Sequence, residues 1–243
     1  MATHKEQVLI RYHYQGVEEL FDEYADTLFE EHLTLGLRYK TPALMKRQMD
    51  LAFGTELSDI GSKVEDDARK SEKERKWKRC LDLGCGSGLA GDIYRSDVQY
   101  LEGCDISKEM VKMCKKKEGI YDKVIHNNLM NHLRKQKDAS FDLIVSADVV
   151  MYLHDNDLDA MIKETFRVLE SGGVLCFSTE SLDTESEEEH FRRLESERFA
   201  HSRKYVLGVA KGHGFECKSV ENVRVRMDGG HPIMGDILVL VKA

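Results

Sequence analysis

The pattern of apolar and polar positions changes near residue 79. Upstream, apolar residues recur at helical spacing over residues 6–33, and a second helix is predicted after Thr41-Pro42, with the proline in its first turn. Downstream, short apolar runs alternate with segments of helical periodicity. Such alternation is typical of parallel strands joined by crossover helices. The pattern therefore predicts helices before residue 58 and an α/β sheet after residue 78.

The predicted strands of the second part are short and rich in Val, Ile, Leu, Phe and Cys. They fall at 79–83, 98–104, 122–126, 141–147, 173–179, 214–221 and 233–241, with helices at 87–96, 107–117, 157–170 and 202–212. Gly172 and Gly173 are expected to end the third of these helices. No helix fits between the last two strands, where Asp228-Gly-Gly marks a turn. We therefore expect a Rossmann-like, doubly wound, seven-stranded sheet that is mostly parallel and ends in an antiparallel hairpin.

Composition along the chain divides it into three regions. Residues 1–57 are predicted to form a helical lid, and residues 79–243 to form the ligand-binding core. Between them, residues 58–78 are dense in mixed charge and nearly empty of apolar residues, which is typical of a solvated linker or an exposed helix. We expect the lid and the core to make one globular domain.

Overall composition narrows the class of protein. Apolar residues make up 41% of the chain, enough for a core, while a net charge of −8 argues against nucleic acid as the main partner. No secretory signal or membrane-spanning run is visible, so we expect a cytoplasmic protein without a membrane partner. The six cysteines show neither CxxC pairs nor zinc-like spacing. We expect them to be reduced and buried, and we expect no metal.

Residues 81–88, Leu-Asp-Leu-Gly-Cys-Gly-Ser-Gly, form the most informative stretch. An apolar strand stops at three alternating glycines and a helix-compatible segment follows, so bare backbone can approach a ligand there. The next strand ends at Asp105, whose two oxygens can accept hydrogen bonds from both hydroxyls of a ribose. Dinucleotide-binding loops place the third glycine one residue later, where this chain has Leu89. That spacing disfavours a nicotinamide-dependent oxidoreductase.

The whole string resembles motif I of the class I S-adenosylmethionine-dependent methyltransferases. Residues 101–110, 141–152 and 169–175 are similar to further segments of the same family. More narrowly, residues 20–33 and 198–205 are similar to the methyltransferase domains fused to tetratricopeptide repeats, although this sequence contains no such repeats. The resemblance implies a methyltransferase that uses S-adenosylmethionine as its cofactor and releases S-adenosylhomocysteine.

The resemblance also implies roles for individual residues. Asp105 would hold the ribose, Ile106 would pack on the adenine, and the amide oxygen of Asn128 would accept the adenine amino group where the family commonly has an acid. From the residues alone, Asp105 can instead cap the helix 107–117, although Ser107 is the better cap for it, and Ile106 can be part of the core. The cofactor-binding residues implied in this way are Asp82, Gly84, Cys85, Gly86, Gly88, Asp105, Ile106, Asn128, Leu129 and Ser146.

Polar contacts to a methyl acceptor are expected from three segments: the loop 148–155, the segment 199–205 and the N-terminal lid. The candidate catalytic residues are His201, Tyr152 and Tyr24. His201 can act as a base or an orienting donor, or it can cap the helix 202–212, and Tyr24 can instead be a core residue of the lid.

We expect a methyltransferase that acts on a small-molecule acceptor by in-line displacement. The alternatives are a protein methyltransferase, because the charged segment 58–78 and the acidic surface could dock a basic partner, and a non-catalytic protein that binds the cofactor or assists assembly. A methyltransferase needs a general base only when the acceptor atom arrives protonated, so the residue types alone do not name one.

Overall fold

The structure is a computed structural model that describes residues 4–25, 29–54, 75–184, 186 and 189–243. The predicted charged segment 58–78 lies outside the described residues up to residue 74. The α-helices are α1 (His4–Tyr24), α2 (Phe29–Glu31), α3 (Thr41–Ala52), α4 (Leu89–Tyr94), α5 (Lys108–Lys116), α6 (Leu129–Lys135), α7 (Asp155–Val168) and α8 (Arg203–Gly212). None of the helices in these ranges has the length and apolar character needed to cross a membrane.

The strands are β1 (Trp77–Leu83), β2 (Val98–Asp105), β3 (Lys123–His126), β4 (Phe141–Ser146), β5 (Leu169–Ser181), β6 (Phe191–Arg193), β7 (Phe199–His201), β8 (Phe215–Asp228) and β9 (His231–Lys242). They form one sheet, in which β3, β2, β1, β4 and β5 lie side by side and run parallel. β9 pairs antiparallel with β5, and β8 with β9. The predicted doubly wound sheet with an antiparallel C-terminal hairpin is confirmed, but among the described residues the sheet has nine strands and not the predicted seven.

Strands β6 and β7 and helix α6 are the elements that the sequence pattern does not predict. β6 and β7 form a small antiparallel hairpin, and β7 pairs with the carboxyl end of β5. Both strands span three residues, too short a stretch to show an alternating pattern. The hairpin places residues 191–201 beside the carboxyl ends of the parallel strands.

Helix α7 ends earlier than its pattern predicts. Its last residue is Val168, because Leu169 is already extended and enters β5. Gly172 does take the left-handed conformation, with φ of 76°, but it lies within the span of β5 and does not end the helix. At the other end, His154 occupies the cap position and makes no side-chain capping bond.

Helices pack on both faces of the sheet. One cluster of buried side chains includes Leu133 of α6, Met161 of α7 and Val206 of α8. A second cluster includes Met45 and Met49 of α3, both almost fully buried. Burying such side chains contributes about 1.5–3 kcal/mol each. The N-terminal region is therefore attached to the sheet through α3.

Gly235 offers a test of this packing, because β9 passes very close to β5 there. A Cβ at Gly235 would lie 2.2 Å from the carbonyl oxygen of Thr179. We expect Gly235→Ala to lower the free energy of unfolding by about 1–3 kcal/mol, because neither backbone can move without disturbing the ladder. Urea unfolding measures the change.

Gly208→Ala in α8 is the matched control, because nothing lies within 4 Å of the Cβ that it adds. Alanine stabilises a helix interior by up to about 1 kcal/mol relative to glycine, so this variant should be at least as stable as the wild type. Equal losses in both variants would contradict the packing argument.

Candidate functional site

The glycine-rich turn joins β1 to α4 at the point where the strand order reverses. Gly84, Gly86 and Gly88 have φ of 72°, 53° and 98°, in the left-handed region that side chains disfavour. A Cβ on Gly84 would lie 2.2 Å from Cγ2 of Val149, whereas a Cβ on Gly86 would have nothing within 4 Å. Packing therefore requires a glycine at position 84, and Gly86 presents bare backbone to open space.

A cavity of about 370 Å³ lies in front of this turn. The carboxyl ends of the parallel strands form one wall, and α1 and the residues before α3 form another, through apolar side chains that include Val17, Phe21 and Leu37. Cavities of about 300–1,000 Å³ are typical of small-molecule sites. The apolar cover can keep water away from a reaction inside.

Asp105 lies at the carboxyl end of β2 and lines this cavity. Its Oδ2 accepts a hydrogen bond from the N–H of Gly86 and its Oδ1 accepts one from the N–H of Ser107, both at 2.8 Å. Burial raises the pKa of the carboxyl, and these two bonds oppose the rise. Since a carboxylate can accept further hydrogen bonds, Asp105 is held in place and keeps capacity for a ligand.

The cap of helix α5 is Ser107 and not Asp105. The Ser107 hydroxyl accepts a hydrogen bond from the N–H of Met110 at 3.0 Å. The same hydroxyl donates to Oδ1 of Asp22 on α1 at 2.6 Å. Ser107 is therefore the cap that the sequence favoured over Asp105, and its bond to Asp22 ties α1 to the start of α5.

Asp82 is buried beneath the turn, away from the cavity lining. Its Oδ2 accepts a hydrogen bond from the hydroxyl of Tyr121 at 2.6 Å, and within the described residues its Oδ1 has no partner. Burial raises the pKa of Asp82 to about 7, against the effect of the Tyr121 bond. The Tyr121 hydroxyl also accepts the N–H of Gly91 at 2.9 Å. Asp82 thus supports the turn from behind.

The structure brings most of the predicted cofactor residues to one cavity. Those that line it are Gly84, Cys85, Gly86, Asp105, Ile106, Asn128 and Leu129. Asp82, Gly88 and Ser146 lie behind this surface. The buried hydroxyl of Ser146 donates to the carbonyl oxygen of Leu83 at 3.1 Å, so it holds β4 against β1 and does not face the cavity.

Asn128 has a role that its sequence position did not suggest. Its side-chain oxygen accepts hydrogen bonds from the N–H groups of Met130 and Asn131, at 2.9 and 3.4 Å, and so caps helix α6. The predicted acceptor of the adenine amino group is therefore already occupied. The side chain still lines the cavity, where its amide nitrogen is the atom left to contact a ligand.

The three candidate catalytic residues do not lie at one place in the structure. Tyr152 and Tyr24 line the cavity, whereas His201 does not. His201 is fully buried on β7, with its ring 6.4 Å from the ring of Phe191. Its placement argues against both the acceptor-side role and the helix-capping role that the sequence suggested, because β7 carries the residue into the protein interior. Ser202 caps α8 instead.

A charged cluster, formed by Asp148, Glu180, Arg198 and Arg226, lies at the other end of the cavity. Nη1 of Arg226 donates to Oδ2 of Asp148 at 3.0 Å, and its Nη2 donates to Glu180. Nε of Arg198 lies 3.0 Å from Oε1 of Glu180. Three strand spacings, about 14 Å, separate β5, which carries Glu180, from β2. The cavity therefore has two chemically different ends.

Tyr152 and Asp148 connect this cluster to the cavity wall. Burial raises the pKa of Tyr152, while the nearby arginines Arg198 and Arg226 lower it. Asp148 has φ of 55°, a conformation that is uncommon for a residue other than glycine. Its N–H donates to the hydroxyl of Ser178 at 2.8 Å, and that hydroxyl donates to its Oδ1 at 2.9 Å. Asp148 is thus fixed in place.

Sequence reasoning included the loop 148–155 but missed Glu180 and the two arginines as a group. Glu180 is on β5, Arg198 precedes β7 and Arg226 is on β8. No local spacing relates residues so far apart in the chain. Of these three residues, only Arg198 had a signal in the sequence, because it is the first residue of the segment 198–205, on which part of the family resemblance rests.

The part of the chain that carries the glycine turn resembles known proteins. Residues 81–177 match the family described as "Methyltransferase domain". The match covers less than half of the chain, from β1 into β5. Among the described residues, no group of three or more His, Cys, Asp or Glu side chains is arranged to hold a metal ion.

Three relatives each match less than half of the chain. A ubiquinone biosynthesis O-methyltransferase from Pelagibacter ubique is 31% identical over 46% of this chain and 45% of its own length. A malonyl-[acyl-carrier protein] O-methyltransferase from Hamiltonella defensa is 33% identical over 41% and 36%. A probable 18S rRNA (guanine-N(7))-methyltransferase from Dictyostelium discoideum is 30% identical over 42% and 38%. Each match spans less than half of the relative.

Solved structures extend the likeness of the fold to nearly the whole chain. An S-adenosylmethionine-dependent methyltransferase from Leishmania major has a TM-score of 0.65 at 16% identity, over 94% of this chain and 82% of that one. Magnesium protoporphyrin IX methyltransferase from Synechocystis, with bound S-adenosylmethionine, has a TM-score of 0.57 at 14% identity, over 95% and 97%. The narrower similarity to domains fused to tetratricopeptide repeats stays a prediction.

Asp82→Asn tests the buried acid of this site. Because burial raises the pKa of Asp82 from 3.8 to about 7, its protonated form contributes stability that is present below about pH 4 and is lost as the pH rises to about 7. An amide does not ionise. We expect the variant to be more stable than the wild type at about pH 8, by on the order of 2 kcal/mol, and to lose most of this advantage at about pH 5. Urea unfolding at both pH values measures it.

Asp142→Asn is the control, because this carboxylate lies at the amino end of β4, at the opposite end of the strands from the turn, where it accepts the N–H groups of Lys78 and Arg79. It should leave the pH dependence of the wild type in place. A difference between Asp82→Asn and the wild type that is the same at both pH values would show that ionisation of Asp82 is not its cause.

Proposed function

We propose that this protein is an S-adenosylmethionine-dependent methyltransferase that transfers a methyl group to a small-molecule acceptor. The observation that carries the proposal is the single cavity with the glycine turn and Asp105 at one end and Tyr152 with the charged cluster at the other. When bound, the cofactor supplies an electrophilic methyl group on a sulfonium. In-line transfer then needs alignment of donor and acceptor and exclusion of water, to which the apolar side chains over the cavity contribute.

The residues at the first end fit this cofactor. Gly86 opens on space that a side chain would fill, and Asp105 keeps hydrogen-bonding capacity for the two hydroxyls of a ribose. Ile106 and Leu129 add apolar surface beside Asp105, suited to an adenine. The N–H of Gly86 is already turned to Asp105, so the turn and the acid are oriented before any ligand binds.

A small acceptor is supported by the cover of the cavity. Side chains of α1 and of residues 29–42 line it together with the strand ends, so the described residues form a partly covered cavity of about 370 Å³, a size typical of small-molecule sites. The relatives differ in the acceptors that their names imply, since these names specify ubiquinone biosynthesis, malonyl-[acyl-carrier protein] and 18S rRNA. The net charge of −8 favours the small-molecule alternatives over RNA.

At the acceptor end we propose Tyr152 and Tyr24 as contacts of the acceptor. Tyr152 lies beside Asp148 and both arginines, so its hydroxyl can orient a polar group of the acceptor. Tyr24 is 41% exposed and packs edge to face on Phe29 at 5.8 Å, so it can close over an occupant. These contacts replace the one proposed from sequence for His201.

Calorimetric titration with S-adenosylmethionine and S-adenosylhomocysteine tests the cofactor. Folded protein that binds neither would end the methyltransferase proposal. Transfer of a tritiated methyl group into a cell extract then tests the acceptor. Label in the small-molecule fraction supports the proposal, label in protein supports the protein methyltransferase, and binding without any transfer supports the non-catalytic alternative.

Asp105→Ala should weaken the binding of S-adenosylhomocysteine by about 100-fold, because the two ribose hydroxyls lose their acceptor and the turn loses its contact at Gly86. Titration calorimetry of the purified variant measures the dissociation constant. Unchanged affinity would remove Asp105 from the site.

Asp142→Ala is the matched control for this prediction. Asp142 also accepts two backbone N–H groups, from Lys78 and Arg79, but it lies at the amino end of β4 and outside the cavity lining. We expect its affinity for S-adenosylhomocysteine to stay within about threefold of the wild type. A parallel loss in both variants would indicate general damage to the sheet.

A further inference from the structure

We propose that the acceptor carries a carboxylate group, and that Arg198 and Arg226 bind this group at the end of the cavity away from Asp105. The carboxylate is an anchor that orients the acceptor. The inference rests on the proposed methyltransferase function and adds the chemical class of its substrate.

Both arginines line a cavity that is otherwise mostly apolar. The side chain of Arg226 is 7% exposed and that of Arg198 is 17% exposed. A guanidinium is costly to remove from water unless anions compensate its charge. Carboxylates of the chain supply this compensation, and the two arginines still bring guanidinium groups to one end of an apolar cavity, where a negatively charged group can accept from them.

Three carboxylates, Asp148, Glu180 and Asp228, pair with the two arginines, but only one of the three lines the cavity. Glu180 and Asp228 pair with the arginines from behind, and neither lines the cavity. Asp148 does line it, but Ser178 donates to one of its oxygens and Arg226 donates to the other. Along this part of the wall, as far as the chain is described, two positive side chains thus face one carboxylate whose oxygens are both engaged.

The arginines also retain donors. Nη2 of Arg198 donates to Asp228 at 2.6 Å, but its buried Nε, although 3.0 Å from Glu180, makes no aligned hydrogen bond with any described residue. Arg226 uses Nη1 and Nη2 once each. Each of these nitrogens carries two N–H groups, so N–H groups remain on both side chains.

A carboxylate matches these donors better than the other common polar groups. Its two oxygens accept parallel N–H bonds from a planar guanidinium. An ammonium group would be repelled by both arginines. A neutral amide would offer the guanidinium groups only one acceptor oxygen and no negative charge.

Ligand binding to the wild-type protein, saturated with S-adenosylhomocysteine, tests the inference. The probes are benzoate, cinnamate and hexanoate, each compared with its primary amide and with the amine of the same carbon skeleton. We expect at least one acid to bind about tenfold more tightly than its amide, measured by calorimetry or by the shift in melting temperature. The corresponding amine should bind no better than the amide.

Arg198→Gln should reduce that preference for the acid to about threefold or less, because one of the two charges is lost. Arg203→Gln is the matched control. Arg203 makes a similar ion pair with the buried Asp236, at 2.6 Å, but does not line the cavity. This control should keep the full preference. Circular dichroism and the affinity for S-adenosylhomocysteine report whether each variant is folded.

The wild-type comparison alone can overturn the inference, whatever the fate of the variants. No acid preferred over its amide, or an amine preferred over both, would show that the wall does not select a carboxylate. A preference that persists in Arg198→Gln and in Arg226→Lys would place the carboxylate elsewhere. If the wild type does not bind S-adenosylhomocysteine, the methyltransferase proposal fails first, so the two failures are distinguishable.

Discussion

The candidate site depends on the hydrogen bond from the N–H of Gly86 to the carboxylate of Asp105, which joins the turn after β1 to the end of β2. The N–H groups of Gly84 and Cys85 strengthen the same connection, because both donate to the carbonyl oxygen of Cys104, at 2.8 and 3.0 Å. Three consecutive residues of the turn are thereby anchored to one neighbouring strand. The left-handed conformation of Gly84 and Gly86 makes this path possible. A ligand would meet a carboxylate and a turn that are already oriented.

A single tyrosine supports that turn from below. The ring of Tyr121 lies close to the places where side chains would begin at Gly88, Gly91 and Gly103, at 3.3, 2.3 and 3.0 Å. Glycine at these positions therefore makes room for the ring, and the ring in turn brings its hydroxyl to Asp82. This arrangement buries the carboxyl of Asp82, whose Oδ1 has no hydrogen-bond partner among the described residues. The turn is thus held by an arrangement that stability alone would not favour.

Much of the fold and one end of the site could be predicted from sequence because their signals are local. Buried parallel strands appear as continuous apolar runs, and the glycines with Asp105 follow one another within a single βα unit. The other end of the site brings Asp148, Arg198 and Arg226 together from three separate elements, which no local spacing reveals. His201 was misplaced for a related reason. A three-residue strand shows no period, and pairing with β5, not propensity, forms it.

The charged cluster also bears on why the cavity has two unlike ends. Replacing a buried ion-pair network by apolar residues of similar volume is often neutral or stabilising. A gain in folding stability therefore does not explain the ion pairs of Arg226 with Glu180 and Asp148. The surrounding cavity wall is apolar and could have continued across this end. Charge retained there, beside a strained Asp148, is better explained by a ligand that it must orient. In our proposal, the first end holds a nucleoside and the second distinguishes acceptors by their charge.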